Sequence, residues 1–298
     1  MSPKVRGHAG TRHVTVGTFR LRLDVPRVIG IVNATTDSFS GDGLADDLDG
    51  AIAAGRAMFE AGADLVDVGG ESSRPGAEPV PVDVETGRTI PIVEALSAFR
   101  PGRISIDTCK PEVAEAALHA GASIINDVTG LRQGRMAEVA AEHGAAVIIM
   151  HMKGEPRTMQ ARPRYKDVVS EILQFLGDRV DAAEDAGIRP DRIMVDPGIG
   201  FGKTVDHNLE ILARLGELRS LGKPVVIGVS RKWFIGKITG APPDERLAGS
   251  LAAAVIAVRN GADLVRVHDV RETVQAIKVA RSVARTEDGV RGDREGQV

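Results

Sequence analysis

Asp107, Asn126 and Asp196 each end a short apolar run. Two carboxylates and an amide are the donors and acceptors that a flat heterocycle with an amino-pyrimidine edge needs, because one carboxylate accepts from two adjacent N–H groups. Cations gather at comparable points of the chain. Arg74, Arg231, Lys232 and Arg266, together with His268, suit phosphate oxygens. Asn33 and Asp37 offer hard oxygen ligands that could hold Mg²⁺ against a diphosphate. The mixture points to a ligand with two chemical ends, one a hydrogen-bonding ring and the other an anion.

These residues need a scaffold that turns many chain segments toward one place. From residue 28 onward the sequence repeats one theme: a β-branched apolar run, a polar Gly-rich or Asp-ended stretch, then an Ala-rich amphipathic segment. That alternation predicts parallel strands with crossover helices. Strands are expected at 28–32, 65–68, 103–106, 123–125, 146–150, 193–195, 225–229 and 264–267. Eight is the number that closes an α/β (β/α)8 TIM barrel, whereas a doubly wound sheet would usually carry fewer units and a Gly-rich first turn. Helices are expected at 48–61, 82–98, 111–120, 136–142, 168–186, 208–221, 245–260 and 271–284. Alternation over 13–23, broken by Gly17 and Thr18, predicts an N-terminal hairpin covering the barrel's closed end. The expected organisation is an extension and hairpin over 1–27, a barrel over 28–284 and a charged, solvated tail over 285–298.

In such a barrel the chemistry sits where strands end. Asn33 opens the segment after the first strand, which continues through Asp37, Ser38 and Phe39 to Gly43. The second strand is followed by Gly69-Gly70-Glu71-Ser72-Ser73-Arg74-Pro75-Gly76, and the third ends at Asp107. Asn126 and Asp127 follow the fourth, and His151 follows Met150 of the fifth. The sixth runs into Asp196-Pro197-Gly198-Ile199-Gly200-Phe201-Gly202-Lys203, the seventh into Ser230-Arg231-Lys232, and the eighth carries Arg266 before His268. Every strand delivers polar groups to one mouth, which a purely structural protein has little reason to do, since each costs desolvation unless paired.

Composition narrows the function classes. The 298 residues carry 38 Lys+Arg against 41 Asp+Glu, a net charge of −3, with aromatics at only 3%. Neither a basic field nor a stacking platform for nucleic acid is present. A lone cysteine, Cys109, cannot form an internal disulfide, and its expected role is that of a spectator. With no signal pattern and no apolar run of membrane length, a cytoplasmic protein without a membrane partner is expected. Rival motifs fail on spacing. Gly202-Lys203-Thr204 resembles the end of a P-loop, but Pro197 occupies the position of its first glycine. Gly228-Val229-Ser230 begins like a nucleophile elbow, but Lys232 stands where its second glycine belongs. His151 and His268 could serve a barrel metallohydrolase, yet the first strand supplies Asn33 rather than a His-x-His pair. Arg74 and Lys203 have solvated surface charges as their ordinary reading.

Taken in order, the segments around Asn33, Asp37-Ser38-Phe39-Ser40, Asp67 to Gly76, Ser105 to Thr108, Ile125-Asn126-Asp127, Met150-His151-Met152, Asp196 to Lys203, Ser230-Arg231-Lys232 and Arg266 to Val270 closely resemble the dihydropteroate synthase family of pterin-binding barrels. The resemblance spans nearly all of 28–280. It implies condensation of 7,8-dihydropterin-6-ylmethyl diphosphate with 4-aminobenzoate, giving 7,8-dihydropteroate and pyrophosphate with Mg²⁺. It further implies that Asp107, Asn126, Asp196 and Lys232 hold the pterin, and that Asn33, Arg74, Arg266 and His268 handle the diphosphate or its metal. The loops carrying Asp37 and Phe39, and Ser73, Arg74 and Pro75, would close over the site and form the aminobenzoate pocket. Met150, Phe201, Ser230 and Trp233 complete the expected substrate surface. A homodimer is also implied.

The family commonly has Pro where Thr36 stands, an Asp-Gly-Gly ending where this chain has Gly41-Asp42-Gly43, Thr where it has Ser73, and a smaller or basic residue where it has Trp233. Trp233 is therefore expected to reshape the aminobenzoate side. A pterin-binding paralogue with weak or no synthase activity and a pterin-dependent methyltransferase are the alternatives. The latter would share Asp107, Asn126 and Asp196 but would not need Arg266-x-His268.

Overall fold

The computed structural model describes residues 13–35, 47–72, 77–155 and 158–295. The chain opens with an antiparallel hairpin, β1 (His13–Val16) and β2 (Phe19–Arg22). Eight parallel strands follow: β3 (Arg27–Asn33), β4 (Leu65–Gly69), β5 (Ile104–Asp107), β6 (Ile124–Asp127), β7 (Ala146–Met150), β8 (Ile193–Asp196), β9 (Val226–Gly228) and β10 (Leu264–Val267). They hydrogen-bond in the order β8-β7-β6-β5-β4-β3-β10-β9. A parallel bridge from Val195 to Val225 joins the two ends, so the sheet is a nearly closed (β/α)8 barrel. The helices are α1 (Leu48–Glu60), α2 (Val82–Phe99), α3 (Pro111–His119), α4 (Met136–Glu142), α5 (Val168–Asp185), α6 (Val205–Ala213), α7 (Trp233–Thr239), α8 (Leu247–Arg259) and α9 (Val270–Glu295).

The two-residue period of a strand sorts its side chains between two environments. Val66, Ile106, Ile125, Val147, Val195, Ile227 and Val265 point outward into the core shared with the helices. Their neighbours point into the barrel, where Ile29, Leu65, Ile124, Ile148, Met194, Val226 and Leu264 form an apolar layer. Val14, Val16, Leu21 and Leu23 of the hairpin segment complete that layer, so the hairpin plugs the barrel's closed end as its alternation predicts. Two residues further along the inward rows stand Asp67, Asn126, Met150, Asp196 and Arg266. The interior is apolar below and polar above, and the polar layer faces the mouth formed by the strands' C-terminal ends.

Three segments depart from the sequence expectations. The helix expected over 208–221 is two pieces: α6 ends at Ala213 and Leu215–Leu221 continues as 3-10 turns. The Leu212 carbonyl that a continuing α-helix would need accepts instead from Asn260 Nδ2 at 2.8 Å, next to the weak helix former Gly216. The helix α7 lies in a stretch where the sequence led to no expected element; it ends at Gly240, which is in the left-handed conformation. The last helix, α9, runs to Glu295, well past residue 284, so the stretch expected as a solvated tail is helical up to that point. Among the described residues no helix is long and apolar enough to cross a membrane.

Candidate active site

Register explains how the site assembles. Asp107 on β5 pairs with Asn126 on β6, and Met150 on β7 pairs with Asp196 on β8. Arg266 on β10 pairs with Gly228 on β9, so a glycine without a side chain leaves room beside the guanidinium. Asp107, Asn126, Met150, Asp196, Phe201, Lys232 and Arg266 line one cleft, with Val128, Gly198, Ile199 and Gly228 completing its wall. The sequence expectation that the carboxylates and the key cations share a single mouth is thereby met for these residues.

The charges are organised around Arg266. Its Nε donates to Asp67 Oδ2 at 2.6 Å, and its Nη2 donates to Asp107 Oδ2 at 2.6 Å. Asp67 Oδ2 also accepts from Asn126 Nδ2 at 2.9 Å. Asp67 is fully buried, and its Oδ1 is buried without a hydrogen-bond partner. Sequence reasoning quoted Asp67 only as part of a motif. The signal was there: an ionisable residue on the inward row of a strand whose other residues are all buried. Burial, with the nearby negative charges of Asp67, Glu85 and Asp127, pushes the Asp107 carboxyl up to about 7 against the pull of Arg266. Asp196 is raised by burial, opposed by the Gly198 N–H that donates to its Oδ1 at 2.6 Å and by Lys232, Arg266 and Lys203.

Lys232 is lowered to about 8, first by burial and then by Arg266. Its ammonium stands 4.4 Å from the centre of the Phe201 ring, a cation–π contact that fixes it above the cleft wall. The residue before it, Arg231, has φ +54°, uncommon outside glycine. Arg231 was expected to meet phosphate. Its guanidinium instead engages Asp269 with two hydrogen bonds, at 3.1 and 2.6 Å, while its N–H donates to Ser250 Oγ at 2.8 Å. These contacts hold a strained turn that delivers Lys232 inward.

A second group stands next to Arg266 in sequence. His268 Nδ1 lies 2.9 Å from Ser230 Oγ, and its Nε2 lies 3.5 Å from Asn33 Nδ2. With its amide nitrogen turned to His268, Asn33 keeps its oxygen as a hard donor. Among the described residues no group of three or more His, Cys, Asp or Glu could hold a metal. One neutral oxygen ligand fits a Mg²⁺ ion held mainly by substrate phosphates and water, and does not fit an all-protein cage. His151, the other mouth histidine, packs edge-on against Phe175 with its ring centre 4.9 Å away.

Trp233 begins α7, is 49% exposed, and lies outside the residues lining the cleft. Asp37, Phe39, Ser73, Arg74 and Pro75 lie outside the described residues. The described ends of the second of these segments are tied together: Glu71 Oε2 accepts from Val80 N–H at 2.7 Å and from Lys110, which also pairs with buried Glu85. The Cys109 thiol is pushed up to about 12 by burial, which suits an inert side chain. Lys203 is fully buried, contrary to the ordinary surface reading.

A parallel α/β barrel whose mouth sets carboxylates and an amide beside an arginine defines an enzyme for a ligand with a polar ring and an anionic group. Residues 29–268 match the family described as pterin binding enzyme. The chain is 45% identical over 271 residues to the dihydropteroate synthase of Escherichia coli strain K12, an alignment covering 91% of this chain and 96% of that protein. The crystal structure of the Yersinia pestis dihydropteroate synthase in a sulfonamide drug complex superposes with a TM-score of 0.89 at 42% identity, covering 91% of this chain and 99% of that one. The Xanthomonas albilineans dihydropteroate synthase, solved with 4-aminobenzoic acid, gives 0.85 at 47% identity, covering 92% and 99%. The chain therefore belongs to the pterin binding enzymes and, within them, to the dihydropteroate synthase family.

Proposed function

We infer that the protein condenses 7,8-dihydropterin-6-ylmethyl diphosphate with 4-aminobenzoate, forming a C–N bond at the pterin methylene as its C–O bond breaks. Pyrophosphate leaves, and the arylamine loses one proton. The observation that carries this reading is the single cleft lined by both Asp196 and Arg266. Asp196 and Asn126 accept from and donate to the pterin edge, while Phe201 and Met150 supply an apolar wall. As the C–O bond breaks, positive charge grows on the methylene and negative charge on the leaving oxygens. Asp107 stabilises the first, and Arg266 with His268 stabilises the second. The Ser230 hydroxyl, 2.9 Å from Nδ1, orients the His268 ring. A charged hydrogen bond of this kind is worth about 1.5–3 kcal/mol, or roughly 10- to 150-fold in rate if made only in the transition state.

Mg²⁺ held by Asn33 and the substrate's phosphates would neutralise charge on the leaving group. Asp37, Ser73, Arg74, Phe39 and Pro75 are assigned to the diphosphate and aminobenzoate side by the family resemblance. Trp233, at the start of α7 beside Lys232, stands where the family commonly has a smaller or basic residue and reshapes the aminobenzoate side; equal sulfonamide inhibition constants for the native protein and Trp233→Ser would contradict that role. A cytoplasmic location fits these small soluble substrates. A homodimer is supported by exposed Leu209, Ile238 and Ile256 on the adjoining helices α6, α7 and α8, and sedimentation would test it.

The test is release of pyrophosphate from the diphosphate substrate with and without 4-aminobenzoate, in the presence of Mg²⁺. Release that depends on the arylamine, with matching dihydropteroate, supports the reading. Pterin binding without release would indicate a non-catalytic paralogue.

A further inference from the structure

Among the described residues Lys203 has the largest side chain of those almost wholly buried, and it has no role in the chemistry above. An isolated buried ammonium is strongly unfavourable unless its three N–H groups find acceptors. Lys203 has three within reach: the Phe201 carbonyl at 2.9 Å, the His151 carbonyl at 3.4 Å and His151 Nδ1 at 3.0 Å. Two of these belong to the loop after β7 and one to the loop after β8, so a single side chain bridges the two. The bridge lies inside a continuous seam. His151 N–H donates to the Asp196 carbonyl at 2.9 Å, and Tyr165 Oη donates to the Gly202 carbonyl at 2.9 Å. Gly198 and Gly202 have φ of +69° and +63°, and a Cβ on either would collide with the backbone carbonyl of His151 or Lys153. The seam is backbone against backbone, and it runs directly behind Asp196 and Phe201, two residues of the cleft wall.

We propose that Lys203 is a positioning residue for pterin binding: its ammonium clamps the loops after β7 and β8 together and, lying behind Asp196, supports that carboxylate's charge toward the ligand. This rests on the reading that Asp196 takes the pterin edge. The electrostatics agree in direction. Lys203, Lys232 and Arg266 all favour the charged form of Asp196 against its burial, and the Gly198 N–H does the same. Burial pushes Lys203 well below the usual lysine range, reinforced by Lys232 and Lys153, and Asp196 is the group that holds its charge against that pull; His151 is lowered to about 2 by burial and by Lys203 itself. The three direct partners of Lys203 are neutral, and Asp196 is the carboxylate whose charge favours the ammonium.

Two variants separate the clamp from the charge. Lys203→Met removes both; Lys203→Gln removes the charge and keeps N–H donors for part of the clamp. Binding of a dihydropterin lacking the diphosphate is measured by calorimetry between pH 5 and 8, alongside thermal unfolding. With the Lys203 charge gone, Asp196 picks up its proton at higher pH than in the native protein. Its Kd should therefore begin to rise at higher pH on acidification, then climb on the order of tenfold per pH unit. Both variants should show this, with Gln recovering more of the melting temperature than Met; if Met does not fold, Gln carries the test. Native-like Kd and pH dependence in the Gln variant would overturn the proposal, whatever its melting temperature. Asp196→Asn is the control: if it too binds pterin like the native protein, the assignment of Asp196 is what has failed.

Discussion

The Arg266 guanidinium joins Asp67 to Asp107, with both contacts at 2.6 Å, so one cation is shared by two inward carboxylates on neighbouring strands. Removing it leaves two partly or fully buried carboxylates facing each other, which is more damaging than losing one hydrogen bond. Arg266→Ala should therefore lower kcat by at least roughly 10- to 150-fold and also lower the melting temperature. Steady-state rates and calorimetric unfolding check both; an unchanged kcat would remove Arg266 from the leaving-group side.

Asp196→Ala should act on the other end of the ligand. The contact to the ring edge exists before and during reaction, so its loss weakens pterin binding by about 10- to 150-fold and changes kcat at saturation less. Calorimetry with a dihydropterin, combined with kcat and KM, distinguishes this pattern from that of Arg266→Ala.

The pH profile follows from Asp107. Its carboxyl is pushed up to about 7, and it stabilises a developing cation only when ionised. Activity should rise with pH through that region. Asp67→Asn removes a negative charge that raises Asp107, so the acid limb should move to lower pH even as the maximal rate falls. The same shift has a stability consequence of defined sign. The folded protein binds this proton more tightly than the unfolded chain, so the contribution from Asp107 declines as pH rises from the ordinary carboxylate range to about 7. A pH profile that does not move in Asp67→Asn would contradict the coupling.

Gly198→Ala tests the loop behind Asp196. The left-handed backbone alone disfavours alanine by about 1–2 kcal/mol, and the new methyl collides with the His151 carbonyl. Thermal unfolding should show a loss of at least that size, with weakened pterin binding. Native-like values would mean the loop relaxes without disturbing Asp196.

Much of this was legible in the sequence because strands advertise themselves through β-branched runs and the last polar residue of each run marks the mouth. Asp107, Asn126, Asp196 and Arg266 were found that way, and β7 and β10 fall on the expected residues. What escaped depends on contacts distant in sequence. Arg231 reads as one more phosphate cation until Asp269 is seen to take its guanidinium. Lys203 reads as a surface charge because its acceptors are carbonyls, which every residue possesses and no sequence pattern marks. The break after α6 depends on Asn260, a side chain on another element competing for one carbonyl.

The central claim is that one cleft steadies a pterin at its carboxylate end and a departing diphosphate at its cationic end. A crystal structure of the protein with a dihydropterin and pyrophosphate bound together tests it most directly. The account predicts the ring edge on Asp196 and Asn126 and the pyrophosphate on Arg266 and His268, within one continuous cavity. Pyrophosphate ordered in a different cleft, with Arg266 still closed onto Asp67 and Asp107, would contradict it.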